Sequence, residues 1–153
     1  MNIATRFYSE KVHTITAAGS TGAQTAFTLP RLYDYNFYQN IVTMTGANQT
    51  FDTSLQITPD DGTTWLTFAR FTQVVVATKI SYRMSFRGSI GPADVMNASA
   101  VVFNDTAEAT ASALSAAGPL STKVRFFMTQ GGTVTTLTGQ IWLVGNVVEG
   151  GLI

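Results

Sequence analysis

The residues best suited to chemistry are one histidine and one pair of adjacent carboxylates. His13 is the only histidine and the chain has no cysteine, so a histidine-based metal site would need carboxylates from distant segments. No nucleophile or orienting acid stands at useful spacing beside His13. Asp60 and Asp61 precede Gly62 in a turn-forming cluster, where Asp side chains accept hydrogen bonds from backbone N–H groups. The sequence therefore predicts a non-enzymatic protein without catalytic residues, cofactor or metal.

The most patterned short segment spans residues 58–65 and reads Thr-Pro-Asp-Asp-Gly-Thr-Thr-Trp. It resembles the Asp-box of sialidases and related propellers, Ser/Thr-x-Asp-x-Gly-x-Thr-Trp, at all five signature positions: Thr58, Asp60, Gly62, Thr64 and Trp65. In those proteins the motif is a hairpin turn in which the Asp and Thr bond the loop and the Trp packs beneath it. One copy in a chain this short cannot form a propeller of several four-stranded blades, and the arginines and acid/base groups of a sialidase are missing. The resemblance implies a stable hairpin without hydrolysis.

Alternation of apolar and polar residues predicts β-strands. In residues 51–57 the odd positions share one face, while Asp52, Ser54 and Gln56 share the other, as expected for a half-buried strand. Residues 64–71 follow the Asp-box turn, so the two segments should form a hairpin. Further strands are expected over residues 12–16, 40–45, 73–77, 79–87, 123–130 and 134–144. Gly131 and Gly132 predict a tight hairpin turn between the last two.

About seven or eight such strands predict a mainly β fold, either an antiparallel β-sandwich or jelly roll or a β-barrel. At most one short helix is expected, in the alanine-rich residues 93–117, where Asp105 and Glu108 have capping-box spacing; a surface loop is the alternative there. Residues 24–153 should form a single β domain. Residues 1–23 form either an N-terminal arm or a first strand followed by a linker.

Residues 33–38 form the most aromatic run of the chain. Alternation places Tyr33, Tyr35 and Phe37 on one face and Tyr38 on the other, which favours a core strand. The alternative is that exposed aromatic rings stack on sugars or anchor a protein interface.

The low charge content limits the kinds of partner that the protein is expected to bind. Charged residues make up 12% of the chain, about half of the ~25% that is typical, and nine basic residues balance nine acidic ones. The basic residues are scattered, which disfavours a nucleic-acid partner, and no apolar stretch has the length of a membrane span or a secretory signal. A weakly charged surface does little to repel other copies, so association with protein chains is expected.

The Thr-, Ala- and Gly-rich chain, the Asp-box hairpin without an enzyme around it, the flexible N-terminal segment and the absence of cysteine together resemble a tailed-bacteriophage virion structural protein. In type the chain is most similar to a small capsid decoration, or cement, protein. Such proteins are small β-barrel or jelly-roll domains, often trimers, that clamp adjacent capsid subunits. The resemblance implies a homotrimer that binds the major capsid protein at the virion surface after synthesis in the host cytoplasm.

Residues that contact other chains are expected in segments whose apolar or aromatic side chains are not assigned to the core by the strand pattern. These candidates are Arg6, Phe7 and Tyr8 near the N-terminus and Leu152 and Ile153 at the C-terminus. One alternative function is a carbohydrate- or receptor-binding module of a phage tail or fibre, with Trp65, Tyr33, Tyr35 or Trp142 as stacking platforms. A structural component of the tail or neck is another.

Overall fold

The computed structural model describes residues 6–75, 79–87 and 122–147, and every regular element in these ranges is a strand. The strands are β1 (Arg6–Thr16), β2 (Gly22–Ala23), β3 (Phe27–Thr28), β4 (Asp34–Ile57), β5 (Leu66–Arg70), β6 (Ile80–Arg87) and β7 (Lys123–Val147). They form one antiparallel sheet, which confirms the prediction of a mainly β fold with about seven strands. The expected helix or loop of residues 93–117 lies outside the described residues.

Two long strands, β4 and β7, form the centre of the sheet and pair along nearly their whole length. Each of these two strands contributes one end to each of two half-sheets. The first half-sheet contains β1, the C-terminal part of β7, the N-terminal part of β4, and β6. The second half-sheet contains β2 and β3, the N-terminal part of β7, the C-terminal part of β4, and β5.

The sheet curls so that the two halves share one core. Phe37 in the first half-sheet and Phe126 in the second have ring centroids 5.8 Å apart. The sheet partner of Phe37 is Leu143, which lies 17 residues beyond Phe126 along β7. A straight strand would separate these positions by about 56 Å at ~3.3 Å per residue. The halves therefore face each other like the layers of a sandwich, although β4 and β7 run through both.

The core is aromatic at its centre. Phe68 of β5 approaches Phe86 of β6 to 5.3 Å between ring centroids, and Phe37 meets Phe126 edge to face. Burial of each such side chain contributes roughly 1.5–3 kcal/mol. Other fully buried side chains come from both half-sheets: Ile41, Phe51, Leu55, Val124, Met128, Leu137, Ile141 and Leu143.

The predicted hairpin turn at Gly131 and Gly132 is wrong, because β7 continues through both residues. The pairing with β4 shifts here, between Ala47 and Thr50. Gly132 has φ 65°, and a Cβ on it would lie 2.1 Å from the carbonyl oxygen of Asn48. A glycine pair permits positive φ at a tight turn and equally at an irregularity within a strand. Residues 123–130 and 134–144 therefore belong to one strand.

Other predicted strands differ in extent. Residues 40–45 and 51–57 also lie in one strand, β4. The strand expected over residues 73–77 is reduced, in its described part, to a bridge between Val74 and Phe51, and residues 76–78 lie outside the described ranges. The expected hairpin after residue 57 is present, since Ile57 pairs with Leu66.

Residues 6–16 form a first strand and not a free arm, because β1 pairs with β7 from Arg6 to Thr16. After a turn closed by the Ser20 N–H and the Thr16 carbonyl, Gly22 and Ala23 pair with β7 as well. The last two residues of the segment expected to act as a linker are therefore part of the sheet.

Candidate functional site

The turn between β4 and β5 is organised by Asp60. Its Oδ1 accepts hydrogen bonds from the Thr58 hydroxyl at 3.0 Å and from the N–H groups of Thr63 and Thr64 at 3.1 and 2.6 Å. Hydrogen bonds from the side chain and the backbone of Thr64 are the main cause of a lowered pKa of Asp60. The Gly62 N–H donates to Thr58 Oγ1 at 2.6 Å, and Gly62 has φ 108°. The Asp-box residues thus hold the loop together.

Trp65 connects this turn to the sheet. Its indole N–H donates to the Gly62 carbonyl at 3.0 Å, and the Arg125 guanidinium lies 4.3 Å from the centre of its ring. The Arg125 Nε in turn donates to Gln56 Oε1 at 2.8 Å. One side of the Trp65 ring is therefore covered by the protein, and its role as a stacking platform stays a prediction.

The polar face of residues 51–57 is buried, although alternation predicts a half-buried strand with this face open. Asp52 is 5% exposed, and Ser54 and Gln56 are also buried. Both oxygens of Asp52 accept from Gln73 Nε2, at 3.1 and 2.9 Å. Burial raises the pKa of Asp52, against the opposing effects of the Gln73 hydrogen bond and the Arg70 charge. This face of β4 is therefore covered by side chains from other segments, among them Gln73 and Arg125.

His13 has a structural environment. Its Nε2 lies 3.4 Å from Ser20 Oγ, its ring centroid lies 6.3 Å from that of Phe126, and burial lowers its pKa. The Ser20 hydroxyl also accepts from the Thr16 N–H at 3.0 Å, so this contact belongs to the turn after β1. In the described ranges, no three His, Asp or Glu side chains are grouped so that they could hold a metal ion.

The outer face of the first half-sheet carries an aromatic row. Lys11, Trp142, Tyr38 and Arg83 lie directly opposite one another on β1, β7, β4 and β6. Directly opposed residues of antiparallel strands project to the same face. Trp142 is 36% exposed and Tyr38 is 37% exposed. This row thus presents two aromatic rings between two cations.

Hydrogen-bonded polar side chains flank this row. The indole N–H of Trp142 donates to Gln140 Oε1 at 2.7 Å, which orients the ring along β7. The Ser81 hydroxyl donates to Asn40 Oδ1 at 2.6 Å, across β6 and β4. These bonds orient the polar groups before any ligand arrives.

The same face contains a groove of about 410 Å³, which we call the β-face groove. This volume falls in the range of ~300–1,000 Å³ typical of small-molecule sites. The lining residues come from all sides of the first half-sheet: Ser9, Tyr38, Asn40, Lys79, Ser81, Trp142 and Val144. It is the clearest candidate site in the described structure.

Of the predicted stacking platforms, only Trp142 lines this groove. The Tyr35 hydroxyl donates to the Pro30 carbonyl at 2.9 Å and accepts from the Leu32 N–H, so it closes a turn instead. Tyr33 is half-buried just before β4. Tyr38 was not among the predicted platforms, although alternation places it opposite Phe37 and so predicts that it faces away from the core.

The predicted contact residues at the N-terminus lie in β1, where Arg6, Phe7 and Tyr8 pair with β7. Phe7 is 68% exposed, whereas Tyr8 packs partly against the core and donates its hydroxyl to Glu10. Desolvation and the contact with Glu10 raise the pKa of Tyr8 to about 12. The contact role of these residues stays a prediction, and Leu152 and Ile153 lie outside the described residues.

No protein-family model matches this chain, and neither a curated protein nor a solved structure is significantly similar to it. The ranges 6–75, 79–87 and 122–147 contain no helix that could cross a membrane. Inferences about function therefore depend on the described side chains and on the resemblance in sequence character.

Proposed function

We propose that this chain is a non-enzymatic structural protein of a tailed-phage virion, a decoration protein that stabilises the head by bridging subunits of the major capsid protein. The observation that carries the proposal is Phe7, a large apolar side chain that is 68% exposed on β1. The fold does not use this ring for its own core. Its removal from water at an interface would contribute roughly 1.5–3 kcal/mol.

The position of Phe7 suits a contact between chains. Among the described strands, β1 pairs with β7 alone, so it forms one margin of the sheet. Arg6 precedes Phe7 and is exposed, and arginine and aromatic residues are enriched at protein interfaces. A capsid subunit that covers this margin would bury both side chains.

The remaining chemistry supports a binding role over catalysis. The carboxylate of Asp60 holds a turn, and that of Asp52 is bound by Gln73. His13 contacts a serine of the turn after β1. We propose that the protein acts as a homotrimer, in which several modest contacts to capsid subunits add through linked binding.

Capsids that lack this protein provide the test. The purified chain is expected to co-sediment with them, and Phe7→Ser is expected to raise the Kd for capsids, measured over a range of concentrations, at least about tenfold, the equivalent of 1.4 kcal/mol. Val75→Ser is the matched control, because Val75 is also an exposed apolar residue but does not belong to β1. An equal Kd for the wild type and Phe7→Ser would overturn the role of Phe7, and no binding by the wild type would overturn the proposal.

A second function, a carbohydrate- or receptor-binding module of a phage tail or fibre, is favoured by a separate observation. Tyr38 and Trp142 lie side by side on the outer face of the first half-sheet and line the β-face groove. A tail or neck component is the remaining alternative. The native mass separates these readings, since a trimer favours the decoration protein, a larger ring favours the tail, and a stable monomer favours the binding module.

A further inference from the structure

We infer that the β-face groove binds an acidic saccharide, that is, a sugar chain that carries carboxylate groups. This inference rests on the second function proposed above and names the class of ligand.

The aromatic pair supplies the surface on which a sugar ring stacks. Pyranose rings have one face rich in C–H groups, which packs on flat aromatic side chains, while the ring hydroxyls need polar partners at the edge. Trp142 and Tyr38 are adjacent on β7 and β4, and each is about one-third exposed. The hydrogen bond from Trp142 to Gln140 holds the indole in place, so little side-chain entropy is lost when a ligand binds.

The polar lining suits sugar hydroxyls. Asn40 Oδ1 accepts from Ser81, which orients the amide and leaves its NH2 group to donate to a ligand. Ser9 lies on the far side of Trp142, on β1, and adds a hydroxyl that both donates and accepts. The groove thus combines two rings with a few convergent polar groups, the usual composition of a small-ligand site.

The charges around the groove select for an acid. Lys79 lines the groove, and Lys11 and Arg83 stand at the two ends of the aromatic row. Three of the nine basic residues of the chain are therefore near this one surface, and none of the seven lining residues is acidic. Cations grouped at a concave surface raise the local concentration of anions.

The acids nearest in sequence to these strands are engaged elsewhere. Glu10 lies between Ser9 and Lys11 on β1, so its side chain projects to the opposite face of the strand. There it accepts a hydrogen bond from the Tyr8 hydroxyl. Asp34 lies on the same face as Tyr38 but two rows away, where its Oδ1 accepts from the N–H of Asn146 at 2.8 Å. The positive character of the groove therefore stands without a neutralising carboxylate in its lining.

Binding of matched sugars to the full-length chain tests the inference. The probes are oligogalacturonate and the neutral galactose oligomer of the same length and linkage, measured by titration calorimetry. We expect the acidic oligomer to bind about tenfold more tightly or better. The acidic preference should fall when salt is raised, because the cations are exposed.

Variants locate the site. Trp142→Ala is expected to weaken binding of both oligomers about tenfold or more, whereas Lys79→Gln should weaken binding of the acidic oligomer alone. Val75→Ala is the control and should leave saccharide binding unchanged, because Val75 is an exposed apolar residue that does not line the groove. Thermal melting of each variant shows whether the fold is retained.

Each outcome has a distinct reading. Equal affinity for the acidic and neutral oligomers would overturn the acidic preference and leave the carbohydrate-binding function standing. Binding of neither oligomer would overturn both. If Trp142→Ala instead lowers capsid occupancy while Phe7→Ser does not, the groove is a protein interface, and the inference is overturned.

Discussion

The Arg125 guanidinium stacks on the Trp65 ring, 4.3 Å from its centre, and so ties the Asp-box turn to the N-terminal part of β7. Arg125 also donates to Gln56, which lies buried on β4. The turn is thereby joined to both long strands of the sheet. A cation over an aromatic ring at a partly exposed site contributes about 0.5–1 kcal/mol, in addition to the packing of the indole.

Two replacements of Trp65 should separate the contribution of its ring to stability from that of its indole N–H. Trp65→Phe keeps a ring beneath Arg125 but loses the hydrogen bond to Gly62, so we expect the free energy of unfolding to fall by about 1 kcal/mol. Trp65→Ala loses the stacking as well and should cost about 2–3 kcal/mol. Urea denaturation measures both values. Equal losses in the two variants would contradict a stabilising role for the stack.

Asp60 and Asp61 offer a matched pair in one turn. Asp60→Ala removes the acceptor of hydrogen bonds from Thr58, Thr63 and Thr64 and is expected to lower the melting temperature. Asp61→Asn is expected to change it little, because asparagine tolerates the φ of 59° at this position and the charge removed belongs to an exposed ion pair with Lys123.

The same pair predicts a pH dependence. The pKa of Asp60 is lower in the folded than in the unfolded chain. The contribution of Asp60 to the free energy of unfolding is therefore fully present above its pKa in the unfolded chain, and it is lost as the pH falls through its pKa in the folded chain. The difference in melting temperature between the wild type and Asp60→Ala should therefore shrink in acid. A difference that is independent of pH would contradict this assignment.

Gly132 tests the shape of β7. Gly132→Ala places a Cβ 2.1 Å from the Asn48 carbonyl oxygen at a positive φ, so both strain and a backbone clash oppose it. Gly22→Ala is the control, since Gly22 has φ 72° but open space around the added Cβ. We expect Gly22→Ala to lower the free energy of unfolding by about 1–2 kcal/mol because of the positive φ. Gly132→Ala should lower it by a distinctly larger amount. Similar losses would contradict the close approach of β4 and β7 at this point.

His13 should make the fold sensitive to mild acid. Its pKa is lowered by burial in the folded protein, so the unfolded chain binds the proton more readily. The free energy of unfolding should therefore fall as pH decreases from about 7.5 to about 5.5, through the ordinary histidine range. His13→Gln should reduce this slope. A slope unchanged by the substitution would assign the acid sensitivity to another group.

Much of the fold follows from local pattern. Alternation correctly separates Phe37 from Tyr38, because one side chain is buried and the next is exposed. The Asp-box residues predict their turn because the hydrogen bonds to the Asp60 carboxylate are local: Thr58, Thr63 and Thr64 lie within four positions of it. These are interactions that neighbouring residues determine by themselves.

What local pattern misses is set by distant partners. The glycines at 131 and 132 resemble a turn, and only the pairing of β7 with β4 makes them part of a strand. Asp52 and Gln56 look solvent-facing, and they are buried because Gln73 and Arg125 approach from other segments. The aromatic row of the candidate site depends on the register that brings Trp142 beside Tyr38, 104 residues earlier in the chain.

The most direct test of the proposed function is the copy number of this chain in purified virions, measured by quantitative mass spectrometry relative to the major capsid protein. A decoration protein is expected in many copies, at a fixed ratio to the capsid subunit, and should remain with the heads after the tails are removed. Absence from the particle, or a few copies that leave with the tails, would contradict the proposal.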